Sequence, residues 1–356
     1  MLKDYIEPVI PMILLSFLCS LLLMPFIKKI AKHIGAMDIP RDNRRIHTKP
    51  MPRLGGLGIF LGFLTGYIFF APQDPQMLSI LIGSFIIIIT GICDDIKPLP
   101  ALYKLIPQIF ATLVIIFYGD ILLNNISAFG FYIDFGIWAY PLTVFFILGA
   151  INAINFIDGL DGLSGGISSI YFLTIGLIAV ITQNIGSLEV TISFLMLGAT
   201  LGFLFHNFYP AKIFAGDSGS MFLGFIIAVI ALLGFKNITL TSLVVPILIL
   251  AIPIIDTLFA IIRRTLKGEP ISKPDKLHLH HQLLSMGFGH RKTVLIIYIM
   301  NILFAIASIF YILKDRKLGI VIYVILFVII VWLVTRTTII SSKKIIKDNI
   351  FKPSKK

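Results

Sequence analysis

Two adjacent carboxylates, Asp94 and Asp95, are the first groups along the sequence that could carry chemistry. They directly follow an apolar run from Leu78 to Cys93, and two neighbouring carboxylates cannot both face lipid. Carboxylate oxygens are the ligands that Mg²⁺ prefers, often beside phosphate substrates. The pair therefore predicts a site that holds a hard cation or accepts a proton. A solvated helix end with Lys97 as the partner is the plain alternative.

A second stretch, residues 152–166, carries a polar side chain at every third position. These side chains are Asn152, Asn155, Asp158 and Asp161. Neighbours at this spacing share a face while the chain is helical, and the glycines around the aspartates allow close approach of the backbone to a ligand. We interpret the stretch as part of a binding site, with a tight turn between helices as the alternative.

Asp217 stands in a third motif, Gly216-Asp-Ser-Gly-Ser220, at the start of an apolar run. A helix N-terminus attracts anions, phosphate included, although Asp and Ser are also ordinary N-cap residues. Asn207 and Phe214 lie just upstream and add polar and aromatic character. The motif therefore predicts an anion-binding loop, and a simple helix cap remains open.

The segment 263–292 combines two arginines with three closely spaced histidines. They are Arg263, Arg264, His278, His280 and His281. This combination favours contact with phosphate or sugar, and a zinc site is the minor alternative. Asp256 lies just before the segment in an apolar run, so its side chain should face the bundle or a polar cavity. An ion pair with Arg263 and a catalytic role are both open for it.

Residues 38–58 are basic and rich in Pro and Gly, and they include Lys49 and the sequence Arg53-Leu-Gly-Gly56. Basic side chains beside a Gly-Gly helix start could bind an anion. The tendency of cytoplasmic loops to be basic explains them equally well.

The elements that position these motifs must be membrane helices. Of 356 residues, 57% are hydrophobic and 13% charged, and the mean hydropathy is +0.97, whereas soluble proteins carry about 25% charged residues. Apolar runs predict eleven membrane spans. The runs cover residues 6–27, 54–71, 77–93, 101–118, 137–154, 167–182, 189–206, 219–235, 241–262, 293–313 and 318–335. We expect one all-α, multi-pass membrane domain over residues 1–356, with a small external hairpin at 126–135 and a basic tail at 336–356.

The distribution of Lys and Arg predicts the orientation of the chain. Most of the 30 Lys and Arg fall in segments 28–53, 94–104, 263–292 and 336–356, and basic loops face the cytoplasm. The N-terminus is therefore predicted outside and the C-terminus in the cytoplasm. This topology accounts for the net charge of +12, so we expect no nucleic-acid partner. The motifs then lie at cytoplasmic helix ends, which predicts one site on that face.

Taken together, the motifs resemble those of the polyprenyl-phosphate N-acetylhexosamine-1-phosphate transferases. The resemblance covers residues 35–292 and rests on four motifs in the same order. They are Asp94-Asp-Ile-Lys97, the run from Asn152 to Gly162, Gly216-Asp-Ser-Gly219 and His278-Leu-His-His281. The resemblance implies an eleven-helix enzyme of the bacterial plasma membrane. Such an enzyme joins the sugar-1-phosphate of a UDP-sugar to a lipid phosphate with Mg²⁺, or Mn²⁺ in its place, and releases UMP.

Two branches of this family compete. The peptidoglycan branch, which uses UDP-MurNAc-pentapeptide, typically has three consecutive histidines and Thr-Met-Gly-Gly at the second helix. Here Leu279 interrupts the histidines and the second helix begins at Arg53-Leu-Gly-Gly56. This pattern looks more like the branch that transfers GlcNAc-1-phosphate to undecaprenyl phosphate and starts teichoic acid, O-antigen (lipopolysaccharide) or related envelope glycans. The implied partners are a UDP-HexNAc, undecaprenyl phosphate and membrane lipid, with a homodimer left open.

The resemblance also implies roles for individual residues. Asp217 would be the main Mg²⁺ ligand with Asp95 beside it, and either Asp94 or Asp95 is a candidate base toward the lipid phosphate. Asp158 and Asp161 would complete the catalytic set. The implied substrate-binding residues are Lys49, Asn152, Asn155, Asn207, Phe214, Arg263, Arg264, His278, His280 and His281.

A secondary transporter is the rival from another class of protein, because transporters also use carboxylates within membranes. Their sites lie near the bilayer midplane, often on broken helices. In this sequence only Asp256 lies deep in an apolar run, so the enzyme is the favoured interpretation.

Overall fold

The computed structural model describes residues 7–40, 49–128, 131–182, 187–234, 244–266, 278–313 and 317–332, and most of these are helical. The helices are α1 (Val9–Ile34), α2 (Gly55–Phe70), α3 (Pro75–Ile96), α4 (Ala101–Phe117), α5 (Ala139–Ile157), α6 (Leu163–Thr182), α7 (Leu188–Asn207), α8 (Gly216–Leu233), α9 (Val244–Ile249), α10 (Ala251–Leu266), α11 (Leu279–Ser285), α12 (His290–Leu313) and α13 (Lys317–Trp332). Within the described ranges, seven helices are long and apolar enough to cross a membrane. They are α1, α3, α5 with the turn before it, α6, α7, α8 and α12.

The helices follow the predicted apolar runs, with two differences that have physical causes. Helix α1 continues past the predicted end at residue 27 to Ile34, where Gly35 at φ 78° closes it, since glycine accepts this left-handed conformation. The predicted run 241–262 is divided into α9 and α10. Pro253 lies in the first turn of α10 and offers no N–H to the carbonyl of Ile249, which breaks the helix there.

Two short antiparallel ribbons accompany the helices. Strands β3 (Asn125–Ala128) and β4 (Phe131–Asp134) form the hairpin that the sequence predicted, although the turn residue Gly130 lies outside the described residues. Strands β1 (Met37–Asp38) and β2 (Met51–Pro52) form a second ribbon that the sequence did not predict. This ribbon places Arg53 between β2 and the start of α2.

Helix α8 is the centre of the bundle, because residues Ser218–Leu233 are all buried. Glycines bring two neighbouring helices into backbone contact with its first turn. A Cβ on Gly91 of α3 would overlap the backbone of Ser218, and a Cβ on Gly56 of α2 would overlap the backbone of Gly219. Small residues allow membrane helices this close approach. The end of α3 and the start of α8 are therefore held against each other.

Candidate active site

Asp95, at the end of α3, caps the first turn of α8. Its Oδ1 accepts a hydrogen bond from the backbone N–H of Asp217 at 2.8 Å. Its Oδ2 accepts from the backbone N–H and the hydroxyl of Ser218 at 3.1 and 2.6 Å. The first N–H groups of a helix have no partner within the helix, so a carboxylate from a neighbouring helix supplies it. Gly216 adopts φ 71°, and a Cβ there would overlap the Asp95 carboxylate.

Asp94, Asp95 and Asp217 form a group that we call the acidic centre, and two cations neutralise most of its charge. The Nζ of Lys104 lies 2.6 Å from Asp217 Oδ2 and 2.8 Å from Asp94 Oδ2. The guanidinium of Arg53 lies 3.3 Å from Asp95 Oδ1 and 3.5 Å from Asp217 Oδ1. Burial alone would lower the pKa of Arg53, but the nearby carboxylates, Asp95 and Asp217 foremost, outweigh it and raise that pKa above its usual value.

Lys104 and Arg53 were not among the predicted site residues. Lys104, rather than Lys97, pairs with Asp94. Lys104 is the one charged residue in the sequence of α4, and a charge in an apolar helix is a functional signal that could have revealed it. Arg53 carried a weaker signal, since a basic residue before a cytoplasmic helix start is common.

Two asparagines of α5, predicted as equivalent, have different surroundings. Asn155 donates from Nδ2 to the hydroxyl of Ser220 at 2.8 Å and lies 3.3 Å from Asp217 Oδ1. Asn152 instead donates to the carbonyl of Leu148 in its own helix at 2.7 Å. Only Asn155 therefore joins α5 to the acidic centre.

Residues 158–162, between α5 and α6, form a second acidic element that we call the acidic turn. Asp158 accepts a hydrogen bond from the hydroxyl of Ser164. Burial raises the pKa of Asp158 to about 6, although the Ser164 hydroxyl favours the carboxylate. Asp158 therefore holds its proton more readily than an exposed aspartate.

Side chains and backbone of three other elements fix the acidic turn. The Oδ2 of Asp161 accepts from the backbone N–H of Ala211 at 3.0 Å, and the backbone N–H of Asp161 donates to His290 Nε2 at 2.9 Å. Asn207 accepts from the N–H of Gly162 at 2.9 Å. Its own amide donates to the carbonyl of Ile213 at 2.8 Å. Asn207 therefore ties the turn to the loop before α8.

A cavity of about 600 Å³ lies between the acidic centre and the acidic turn. Eight predicted site residues line it: Lys49, Asn155, Asp158, Asp161, Asn207, Phe214, Asp217 and His281. Arg53 and His290, which the sequence did not single out as site residues, line it as well. The other predicted residues do not line the cavity: Asp94, Asp95, Asn152, Arg264, His278 and His280. For Arg263, only the backbone position in α10 is described.

The histidine motif (His278–His281), which we call the histidine wall, lies beside the cavity, and His281 is the one of its three histidines that lines it. His278 Nδ1 lies 2.9 Å from Asp256 Oδ2, so His278 is a partner of Asp256. The side chain of Arg263, the partner that the sequence suggested, lies outside the described residues. The ring of His280 is buried against Gly159, where a Cβ would overlap it. Burial lowers the pKa of His280 well below its usual value, so this ring is neutral.

The described residues contain no group of three or more His, Cys, Asp or Glu side chains arranged to hold a metal ion. In the acidic centre, the ammonium of Lys104 lies between the carboxylates of Asp94 and Asp217. A metal ion would have to share these oxygens with Lys104.

Comparison with known proteins shows the family to which the chain belongs. A family model described as "Glycosyl transferase family 4" matches residues 77–235, the part of the chain that holds the acidic centre and the acidic turn. A Bacillus subtilis protein named "Probable undecaprenyl-phosphate N-acetylglucosaminyl 1-phosphate transferase" is 42% identical over 335 residues, which are 93% of this chain and 92% of that protein.

Two more distant relatives carry related names. The "Decaprenyl-phosphate N-acetylglucosaminephosphotransferase" of Mycobacterium tuberculosis is 35% identical over 77% of this chain and 75% of its own length. The "Undecaprenyl-phosphate alpha-N-acetylglucosaminyl 1-phosphate transferase" of Escherichia coli is 28% identical over 79% of this chain and 78% of its own length. The matches to these relatives cover most of each chain rather than an isolated motif.

Proposed function

The chain belongs to glycosyl transferase family 4, and we propose that it transfers GlcNAc-1-phosphate from UDP-GlcNAc to undecaprenyl phosphate with release of UMP. The observation that carries the proposal is the acidic centre with its two cations at one end of a polar cavity. The names of the relatives supply the classes of acceptor and sugar. In the cell this reaction would be the first membrane step of an envelope glycan.

The charges of the site suit a reaction between two phosphate-bearing substrates. In the net reaction, an oxygen of the lipid phosphate forms a bond to the phosphorus that bears the sugar. The bond from that phosphorus to the UMP oxygen breaks, and UMP leaves with the electron pair. Positive groups must offset the negative charge of both reactants and of the leaving group. Lys104 and Arg53 are held next to the carboxylates in positions to do this.

Asp94 and Asp217 are the residues that would hold Mg²⁺, or Mn²⁺ in its place. Their Oδ2 atoms approach the same ammonium group, so one small cation can contact both, and carboxylates are suitable ligands. The bound ion would neutralise charge on the transferring phosphoryl group. Both oxygens of Asp95 already accept hydrogen bonds from α8, so we assign Asp95 to positioning Asp217 rather than to metal ligation.

The two substrates would reach the acidic centre from different sides. The nucleotide would occupy the cavity between the acidic turn and Phe214, because this is where polar and aromatic groups meet. The lipid phosphate would approach Lys104 along α4. That helix exposes Tyr103, Ile106 and Phe110, an apolar surface suited to a polyprenyl chain.

An assay of the purified protein with Mg²⁺, undecaprenyl phosphate and a panel of UDP-sugars tests the proposal. We expect UMP and a lipid-linked GlcNAc diphosphate from UDP-GlcNAc. When UDP-GlcNAc and UDP-MurNAc-pentapeptide compete, a product that carries only MurNAc-pentapeptide would reverse the choice of donor and keep the reaction class. The absence of UMP with every UDP-sugar would refute the reaction itself.

We also propose the finer topology: eleven spans in the bacterial plasma membrane, with the N-terminus outside and the active site in the cytoplasm. To test this topology, cysteines are introduced at Asn125 and Ser285, and intact cells are treated with an impermeant thiol reagent. Cys19 and Cys93 must first be replaced by serine. We expect labelling of position 125 from outside and of position 285 only after the membrane is opened, and labelling of both from the same side would refute the topology.

A further inference from the structure

Asp256 on α10 is a buried carboxylate that the proposed reaction does not use. Only 5% of the residue is exposed, and burying an unpaired charge is costly. Both of its oxygens have partners: Oδ1 accepts from the backbone N–H of Leu279 at 2.8 Å, and Oδ2 lies 2.9 Å from His278 Nδ1. Asp256 therefore fastens the start of α11 to α10.

The pairing with Asp256 orients the His278 ring, because the ring nitrogen and the next backbone N–H bind the same carboxylate. The ring of His280 lies parallel to that of His278, with centroids 5.8 Å apart and an interplanar angle of 1°. Neither ring nitrogen of His280 has a hydrogen-bond partner among the described residues. Packing, rather than hydrogen bonding, therefore holds the second ring of the motif in place.

These contacts continue from the histidine wall to the cavity. His280 packs against Gly159, which lies between the two aspartates of the acidic turn and lines the cavity. The centroid of the His281 ring lies 4.2 Å from that of His280, and His281 also lines the cavity. Asp256 thus lies outside the cavity, yet contacts lead from it to two parts of the cavity lining.

We propose that Asp256 is a positioning residue for the sugar-nucleotide donor. It fixes His278, and through the contacts of that ring with His280, and of His280 with His281 and Gly159, it influences where His281 and the acidic turn meet the donor. The identity of the donor rests on the proposed function. Because Asp256 has no contact with the acidic centre, its loss weakens donor binding and leaves the phosphoryl-transfer step nearly intact.

Steady-state kinetics of Asp256→Ala and Asp256→Asn, with calorimetric binding of UDP-GlcNAc in the absence of lipid, test this inference. Asp256→Ala removes the buried carboxylate that anchors the histidine wall. We therefore expect the KM and the Kd for UDP-GlcNAc to rise about tenfold or more in this variant. The kcat and the KM for undecaprenyl phosphate should stay within about threefold of wild type. Asp256→Asn keeps one acceptor oxygen, so its KM for UDP-GlcNAc should lie between those of the wild type and Asp256→Ala. Glu189→Gln, a buried carboxylate on α7, is the matched control and should leave every parameter unchanged.

A double-mutant cycle with His278→Ala separates positioning from a general structural role. If Asp256 acts through His278, the double variant should bind UDP-GlcNAc no more weakly than His278→Ala alone, within about twofold. The inference would be overturned if the double variant showed the product of the two single-variant effects on Kd. A loss of kcat at unchanged KM in the Asp256 variants would overturn it as well. Should Asp256→Ala fail to fold, the same cycle with Asp256→Asn decides. A wild-type protein without turnover of any UDP-sugar would refute the proposed function, whereas normal turnover with an unchanged KM in the Asp256 variants refutes only this inference.

Discussion

The acidic centre and the histidine wall are built in opposite ways. In the acidic centre, four elements supply charged side chains, and each carboxylate has at least two partners. In the histidine wall, Asp256 holds His278, the His280 ring lies parallel to that of His278, and the His281 ring is tilted against His280. The first region is fixed by redundant charged contacts between helices. In the second region, Asp256 anchors His278 through a buried carboxylate, so we expect loss of that carboxylate to weaken donor binding.

The electrostatic character of the two regions differs as well. The acidic centre keeps charges of both signs close together, which suits a reaction that moves negative charge onto a leaving group. His280 in the histidine wall is neutral because burial lowers its pKa well below the usual value. The buried His280 ring can therefore contribute shape rather than charge. We propose on this basis that the acidic centre carries catalysis and the histidine wall carries donor recognition.

The largest expected effect is the loss of a carboxylate from the acidic centre. Asp94→Asn and Asp217→Asn should each lower kcat by about a hundredfold or more, since a few kcal/mol of lost transition-state stabilisation has this effect. EDTA should abolish wild-type turnover, and added Mg²⁺ should restore it. UMP release measures both, and size-exclusion chromatography checks that the variants fold. If both variants turn over normally, the carboxylates are structural and the comparison fails.

A smaller effect is expected when the helix start that carries Asp217 is strained. Gly216→Ala places a Cβ at φ 71° and against the Asp95 carboxylate, and we expect kcat to fall about tenfold as Asp217 shifts. Gly149→Ala is the matched control, because a Cβ there meets nothing within 4 Å. Equal kcat values for the two alanine variants would show that Asp95 does not position α8.

The smallest effect is expected from Asn152, an asparagine that does not line the cavity. Asn152→Ala should keep kcat and KM within about twofold of wild type, because its amide bonds only to its own helix. Asn155→Ala, which removes the contact between α5 and the acidic centre, should lower kcat about tenfold. A greater loss in Asn152→Ala than in Asn155→Ala would contradict the assignment of these two residues.

Most helix positions, and the motifs that contribute to the site, could be identified from the sequence because apolar runs and their polar ends are local features. Eight of the predicted site residues line one cavity, although they come from distant parts of the chain. The transporter alternative is replaced by membership of a transferase family.

The partners of these residues were harder to predict, since they depend on how helices pack. Lys104 reaches the acidic centre only because α4 packs beside α3, so its charge in an apolar helix signalled a function without showing which carboxylates it pairs with. The pairing of Asp256 with His278 joins residues that no local pattern connects. The different surroundings of Asn152 and Asn155 depend on the rotation of α5, which a spacing of three residues does not fix.

The most direct test of the central claim is a side-by-side measurement of kcat and KM for UDP-GlcNAc in Asp217→Asn and His281→Ala. The first variant should lose kcat by about a hundredfold or more with a KM near wild type. The second should keep kcat within about threefold and raise the KM about tenfold. If the two variants change the same kinetic parameter, the acidic centre and the histidine wall do not divide catalysis and donor recognition between them.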